Sequence, residues 1–292
     1  MRHDGELAVQ RRTGVLKALG SARVGATIPP IAEAFLDEQP FIIIGAVANG
    51  VWATMLVGPP GFVRVLDERT AVIDAMPGPH DPLHGRFTTE QEIGILVIDP
   101  STRHRIRVNG VARAVDHRLV IRTEQVYNNC PKYIQQRVLT STTSSVGEGH
   151  RTYTGPALTS RQQDWLARTD TFFIASAAAG LGVDASHRGG SPGFVQVLGD
   201  RRLAWPDYVG NSMYMTLGNL ELNPAAGLLL VDWDRGDTLQ ITGRATVDWD
   251  PARAATMPGA QRVIDYQIER VIQVDAASPH RWRLVSTSPF NP

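Results

Sequence analysis

The sequence predicts a mainly β protein that contains two tandem copies of one small antiparallel barrel. Two observations predict this fold class: an ordered internal repeat, and short β-branched or apolar runs separated by turn residues. The length of 292 residues and a hydrophobic content of 42% are enough for two ordinary domains, each with its own buried core.

The repeat has two matching blocks in the same order. Pro40 to Leu66 aligns with Thr171 to Leu198, and both contain the string Pro-Gly-Phe-Val, which begins at Pro60 and again at Pro192. Further along, GILVIDPSTRHRIRVNGVARAV matches GLLLVDWDRGDTLQITGRATV at nearly the same offset. Two copies of one fold are therefore expected to superpose through these strings.

Strand and turn signals occur at matching places in the two copies. Residues 105–108 and 238–241 alternate between polar and apolar side chains, as a half-buried strand does. Gly110 and Gly243 follow these runs, where glycine permits a bulge or a tight bend. Each copy is therefore predicted to form an antiparallel barrel.

Helices are predicted at two places. Inside copy two, Ser212 to Leu222 has an apolar face and ends before Asn223-Pro224, because proline disfavours helical geometry in the residue before it. A second helix is predicted from Glu6 to Leu19. These signals divide the chain into an N-terminal helical segment (1–30), barrel one with a tail (31–137), a Ser-, Thr- and Gly-rich linker (138–160) and barrel two (161–292).

Composition excludes several functional classes. Lys+Arg and Asp+Glu balance at 29 each, so no excess of positive charge would draw the protein to nucleic acid or to an anionic membrane. The longest apolar runs, 41–48 and 227–231, are far shorter than a membrane helix. The polar amino end and the single cysteine, Cys130, predict a cytoplasmic location.

An ordered set of segments resembles a known family. GELAVQRR, WATMLVGPPGFV, VYNNCPKYIQ, DASHRGGSPGFVQV and TLGNLELNPAAGLLLVDW are together similar to the pyridoxamine 5′-phosphate oxidase-like FMN-binding split-barrel proteins, in their tandem-repeat bacterial form. This resemblance implies two split β-barrels that form an intramolecular pseudo-dimer. It also implies that FMN lies in a crevice between them.

The phosphate of FMN is expected on barrel two. The resemblance places Ser186 and Arg188 on the phosphate-binding strand, and Asn211 and Ser212 precede the predicted helix, whose N-terminus attracts anions. Two plainer interpretations stay open, because Asn211 and Ser212 also suit a helix cap and Arg188 also suits a solvated charge. Copy one has AMPGPHDPLHGRF at the equivalent place, and its prolines predict that no phosphate site forms there.

The flavin ring is expected to lie against barrel one and its tail. The candidate ring-side residues are Trp52, Thr54, Tyr127, Asn128, Cys130, Lys132 and Tyr133. Lys132 and Tyr127 are the catalytic candidates, since a lysine can stabilise negative charge on a reduced flavin or bind an anionic substrate. The alternatives are that Trp52 is a core aromatic residue, Cys130 a small buried residue and Lys132 a surface charge.

The resulting hypothesis is an FMN-dependent oxidoreductase that acts on a small organic substrate, with NAD(P)H as a candidate electron donor. The alternative is a flavin- or haem-binding carrier, sensor or scavenger without turnover. No metal site is expected, since His80 and His84 flank Asp81-Pro82 in a proline-rich loop without a helix to align them. Pairing of two chains into a homodimer stays open.

Overall fold

The computed structural model describes residues 3–15, 24–128, 130–143 and 151–292. Within these ranges the first sheet contains seven strands, namely β1 (Phe41–Ala48), β2 (Gly50–Val57), β3 (Val63–Asp67), β4 (Thr70–Ile73), β5 (Gln91–Asp99), β6 (His104–Val115) and β7 (Arg118–Asn128). These strands lie side by side in the order β2-β1-β5-β6-β7-β4-β3. They form barrel one.

The second barrel repeats this arrangement. After β8 (Gln136–Thr142) and β9 (Thr152–Gly155) come β10 (Thr171–Ala178), β11 (Gly182–Gly189), β12 (Gln196–Gly199), β13 (Arg202–Asp207), β14 (Ala225–Val231), β15 (Thr238–Asp248) and β16 (Arg262–Val274). Their order is β11-β10-β14-β15-β16-β13-β12, with β9 paired to β16. The two-barrel fold class is therefore confirmed.

The segment predicted as a linker also contains strand structure. β8, which follows barrel one, pairs with β17 (His280–Ser286), which follows barrel two. The two strands form a separate two-stranded antiparallel sheet. Residues 144–150 of the predicted linker lie outside the described residues. No helix in the described part of the chain is long and apolar enough to cross a membrane.

The predicted glycine features occur at equivalent places. The strand register shifts between Asn109 and Gly110 in β6, and between Thr242 and Gly243 in β15. A Cβ atom on either glycine would clash with a carbonyl oxygen of the neighbouring strand, so each bulge requires glycine. The Pro-Gly-Phe-Val strings both lead into the third strand of their barrel, since the first ends at the first residue of β3 and the second ends just before β12; φ is 89° at Gly61 and 93° at Gly193.

The helices lie outside the sheets. They are α1 (Asp4–Thr13), α2 (Pro30–Asp37), α3 (Ser160–Arg168), α4 (Met215–Leu222) and α5 (Pro251–Ala254), with a 3₁₀ turn at Arg86–Thr88. α1 overlaps the helix predicted at 6–19, but it begins earlier, at Asp4, and ends at Thr13, before Gly14, which has a φ of 71°. Residues 16–19 of that prediction lie outside the described residues.

Helix α4 corrects the predicted helix at 212–222. It ends at Leu222 as predicted but begins at Met215, because Ser212 and Tyr214 have positive φ values of 60° and 58°. Met213, Leu217 and Leu220 are buried, as the apolar face predicted. At the equivalent place barrel one has only the 3₁₀ turn, in agreement with its prolines.

The barrels pack face to face along an apolar interface between their separate cores. A Cβ on Gly94 of β5 would lie 2.7 Å from the Cα of Asp184 in β11, and a Cβ on Gly227 of β14 would lie 2.6 Å from the Cα of Trp52 in β2. The same close approach is thus made twice, by equivalent strands. Asp184 and Trp52 therefore occupy equivalent positions in the two barrels.

Candidate functional site

A crevice opens where the tail of barrel one, residues 130–135 between β7 and β8, crosses onto barrel two. Its walls come from β6, the tail, β11, the loop after β13 and the start of α4. Its volume, including the mouth, is about 820 Å³, and it is lined by Arg105, Arg107, Cys130, Lys132, Tyr133, His187, Arg188, Gly189, Phe194, Pro206, Asp207, Tyr208, Gly210, Asn211, Ser212, Met213, Tyr214, Met215, Thr216 and Leu217.

A buried ion pair forms the inner end of the crevice. Arg107 Nη1 lies 2.9 and 3.0 Å from the two carboxylate oxygens of Asp184, and both side chains are buried. The hydroxyl groups of Tyr127 and Ser186 donate to the same carboxylate at 2.9 and 2.8 Å. Burial alone would raise the pKa of Asp184, but Arg107 and these donors hold it below its ordinary value. Asp184 therefore stays ionised and balances Arg107.

Two further guanidinium groups in the crevice lack such a partner. Arg105 precedes Arg107 by two residues on β6, so both face the same side of the strand, and Arg188 faces them from β11. Neither Arg105 nor Arg188 forms an ion pair with a carboxylate of the described residues. Burial, together with the charges of Arg107 and Arg188, lowers the pKa of Arg105 to about 9, and burial also lowers the pKa of Arg188. This end of the crevice therefore carries excess positive charge.

Buried nitrogen atoms without partners occur at the same place. Nε of Arg105, Nε of Arg107 and Nε2 of His187 are shielded from solvent and have no hydrogen-bond partner in the described part of the chain. Burial and the neighbouring arginines lower the pKa of His187 well below its ordinary value, so its ring is neutral. Since buried polar groups in native proteins are nearly always hydrogen-bonded, these atoms suit an anionic ligand with several acceptor oxygens.

Six of the residues predicted for the site line this crevice. Arg188, Asn211 and Ser212 come from barrel two, whereas Cys130, Lys132 and Tyr133 come from the tail of barrel one. The side chain of Asn211 accepts from the backbone N–H of Met213 at 3.1 Å, which is a turn within the loop and not a cap of α4. Tyr133 packs against Tyr208 with ring centroids 5.0 Å apart and ring planes tilted by 35°.

The other predicted residues lie elsewhere. Ser186 and Tyr127 lie behind the crevice, where they bind Asp184. Trp52 is in the core of barrel one, and its core interpretation is the one that agrees with the structure. Thr54 is buried against Asp81 and Gln240. The side chain of Asn128 is exposed at the end of β7. Trp52, Thr54 and Asn128 are therefore not brought to the crevice.

The equivalent positions of the opposite barrels carry no such charge. By strand register, Arg105 and Arg107 of β6 correspond to Thr238 and Gln240 of β15, and His187 and Arg188 of β11 correspond to Met55 and Leu56 of β2. On that side Asp81 supplies the carboxylate that binds Thr54 and Gln240. The equivalent barrel contact is therefore made without a guanidinium cluster, which the described residues place on one side of the interface.

Sequence reasoning missed Arg105 and Arg107 as site residues. The alternation that predicts β6 also places both side chains on one face, and that signal could have found them. Asp184 had no comparable signal, because its role depends on contacts with side chains 75 and 77 residues away in sequence.

Comparison with known proteins supports the sequence resemblance. Residues 158–281 match the model of the family described as pyridoxamine 5′-phosphate oxidase, so the resemblance is confirmed over barrel two. None of the curated proteins matches the chain significantly.

Solved structures match about two fifths of the chain. HupZ of Group A Streptococcus is 16% identical with a TM-score of 0.32, and the match covers 39% of this chain and 92% of that one. A putative pyridoxamine 5′-phosphate oxidase from Lactobacillus delbrueckii is 19% identical with a TM-score of 0.32, covering 39% and 93%. An FMN-binding protein from Syntrophomonas wolfei is 12% identical with a TM-score of 0.29, covering 39% and 86%.

Proposed function

We propose that this chain binds FMN in the crevice and is an FMN-dependent oxidoreductase for a small organic substrate. The observation that carries the proposal is the pair of guanidinium groups, Arg105 and Arg188, that have no carboxylate partner among the described residues. A phosphate monoester carries close to two negative charges and offers three acceptor oxygens, which matches that excess charge.

The crevice also has walls that suit an aromatic ring. Phe194, Met213 and Leu217 supply apolar surface next to the charged end. The crevice thus places apolar walls beside a few oriented polar groups, a combination that is typical of cofactor sites. Arg188, Ser212 and Asn211 would hold the phosphate, and Cys130, Lys132 and Tyr133 would lie nearer the ring.

We infer different roles for the two catalytic candidates, Lys132 and Tyr127. A bound flavin supplies hydride and single-electron transfer. Lys132 is partly exposed at the crevice with its ammonium 5.4 Å from the ring centroid of Phe290, and it would stabilise negative charge on the flavin or orient an anionic substrate. Tyr127 is buried behind the crevice, and burial and Asp184 raise the pKa of its hydroxyl. Tyr127 therefore positions Asp184 and Arg107 and transfers no proton.

One observation favours haem binding as a second candidate function. His187 is buried and neutral, lines the crevice, and has an Nε2 atom without a partner in the described chain. A neutral imidazole is a common axial ligand of haem iron, and the nearby arginines would bind the haem carboxylates.

The proposal is tested on the purified full-length chain. Stripped protein is titrated with FMN, riboflavin and haemin, and the FMN-loaded form is mixed anaerobically with NADH or NADPH, followed by a panel of acceptors. We expect FMN to bind more tightly than riboflavin and to be bleached by one of the nicotinamides. Tighter binding of haemin than of FMN would favour the second candidate, and binding of none of the three would refute both.

A further inference from the structure

The side-chain amide of Gln135 joins four separate segments around the crevice. It is buried, with 1% of its surface exposed. Its Nε2 lies 3.1 Å from the carbonyl oxygen of Gly190, 3.2 Å from that of Tyr133 and 3.4 Å from that of Asp170. Its Oε1 accepts from the backbone N–H of Ser288 at 2.8 Å and from Asn291 Nδ2 at 3.1 Å. Both lone pairs of the oxygen are thereby used.

These contacts connect the two walls of the crevice. Tyr133 belongs to the tail of barrel one, which also carries Cys130 and Lys132, whereas Gly190 follows the end of β11, which carries His187 and Arg188. The tail lies so close to β11 that a Cβ on Gly189 would clash with the carbonyl oxygen of Tyr133. The backbone N–H of Tyr133 also donates to Ser288 Oγ at 3.1 Å. Segment 288–291 thus supports the tail from the outside.

We propose that Gln135 is a positioning residue that sets the distance between the tail and β11, and so places Lys132 and Cys130 against Arg188. This inference rests on the proposed function, because the position of the tail matters only if a ligand occupies the crevice. Within the described chain, none of the hydrogen bonds of the Gln135 side chain goes to Lys132 or Arg188. Its effect on binding therefore acts through the backbone of Tyr133 and Gly190.

The chain contains a matched control for this residue. Gln240 is also buried, with 2% exposed, and its Nε2 donates to the Ala53 carbonyl oxygen, to Thr54 Oγ1 and to Asp81 Oδ2 at 2.9 to 3.1 Å. It therefore connects the two barrels as Gln135 does, but on the side without the guanidinium cluster. Replacing either glutamine with methionine keeps the side-chain length and removes the hydrogen bonds. Both variants should lose similar stability.

The test uses two measurements on the full-length chain, wild type and the variants Gln135→Met and Gln240→Met. The first is the rate at which Cys130, the single cysteine, reacts with 5,5′-dithiobis(2-nitrobenzoate), which reports on the tail without any cofactor. The second is the Kd for FMN. We expect Gln135→Met to react at least about fivefold faster and to bind FMN roughly tenfold more weakly. Gln240→Met should match wild type in both.

The outcomes separate this inference from the proposed function. An unchanged Cys130 rate in folded Gln135→Met, or an equal acceleration in Gln240→Met, would overturn the positioning role. If wild type binds no FMN, the proposed function fails and the Cys130 rates still decide the role of Gln135. Should Gln135→Met not fold, Gln135→Asn, which keeps an amide but shortens its reach, is measured in the same way, with the same two results counting for and against.

Discussion

Arg188 approaches the crevice from β11 and has no carboxylate partner among the described residues, so its charge is available to a ligand. A hydrogen bond to a charged group contributes about 1.5 to 3 kcal/mol, so Arg188→Met should weaken FMN binding roughly ten- to hundredfold. Riboflavin lacks the phosphate and should bind almost unchanged. The measurement is a fluorescence titration of stripped protein with both ligands.

The control for Arg188→Met is Arg202→Met, an exposed arginine at the start of β13 in the same barrel. It should bind both ligands as wild type does. Ser212→Ala should weaken FMN less than Arg188→Met, because neighbouring backbone N–H groups remain as donors. If Arg188→Met binds FMN as tightly as Arg202→Met does, the phosphate lies elsewhere and the assignment of Arg188 is wrong.

Lys132 is the residue whose charge should affect chemistry more than stability. It is partly exposed, and removing such a side chain usually changes the free energy of unfolding by no more than about 0.5 kcal/mol. Because its ammonium would stabilise negative charge on a reduced flavin, Lys132→Met should lower the midpoint potential by on the order of 20 to 30 mV. Spectroelectrochemistry of the FMN-loaded protein measures this shift. Arg113→Met, an exposed arginine on β6, is the control and should leave the potential unchanged.

At the scale of elements, local signals predicted most of the fold. The repeated glycines at 110 and 243 predicted a bulge or a tight bend at each place, and both are bulges, where the carbonyl oxygen of the adjacent strand leaves no room for a Cβ. The start of α4 was not predictable in this way. Ser212 and Tyr214 take left-handed conformations, and the carbonyl oxygen of Ser212 accepts from Gln10 in α1, which is 202 residues away in sequence. The irregular loop that lines the crevice therefore makes a long-range contact with α1 that the local sequence does not reveal.

Helices α1 and α4 pack through a pair of glycines, and this contact yields a prediction. A Cβ on Gly218 would lie 2.6 Å from the backbone nitrogen of Glu6. Alanine gains about 1 kcal/mol over glycine in a helix, but forcing a methyl group against backbone costs about 1 to 3 kcal/mol or more. Gly218→Ala should therefore lower the free energy of unfolding overall, as measured by urea denaturation. The control is Gly78→Ala, which should change the free energy of unfolding little, because its methyl group would meet open space. A higher free energy of unfolding for Gly218→Ala than for wild type would show that α1 does not pack there as described.

Across the whole molecule, the two barrels share a fold but not a site. The equivalent strands make the same glycine contacts, yet one side of the interface carries Arg107 with Asp184, and the other carries Gln240 with Asp81. The repeat in the sequence predicted the symmetry, because the strand pattern is common to both copies. The repeat could not predict that the two sides of the interface differ in charge. The carboxylate on one side, Asp184, lies on a strand, whereas the carboxylate on the other side, Asp81, reaches Thr54 and Gln240 from a loop. Among the described residues, the guanidinium cluster therefore lies on one side of the interface.

Asp81 joins the loop of barrel one to barrel two, and its burial makes the stability of the whole molecule depend on pH. Burial raises the pKa of Asp81 from 3.8 to about 6, although Leu83, Thr54 and Gln240 donate to it. A carboxyl group with a raised folded-state pKa holds its proton more firmly when folded, so its contribution to stability is present below the unfolded pKa and is lost as pH rises through about 6. Asp81→Asn carries no such proton. The free energy of unfolding of wild type minus that of Asp81→Asn should therefore fall by up to about 3 kcal/mol between about pH 4 and pH 7.5, measured by urea denaturation at several pH values. A difference that stays constant across this range, or that rises with pH, would show that Asp81 is not held in the buried contact with Thr54 and Gln240.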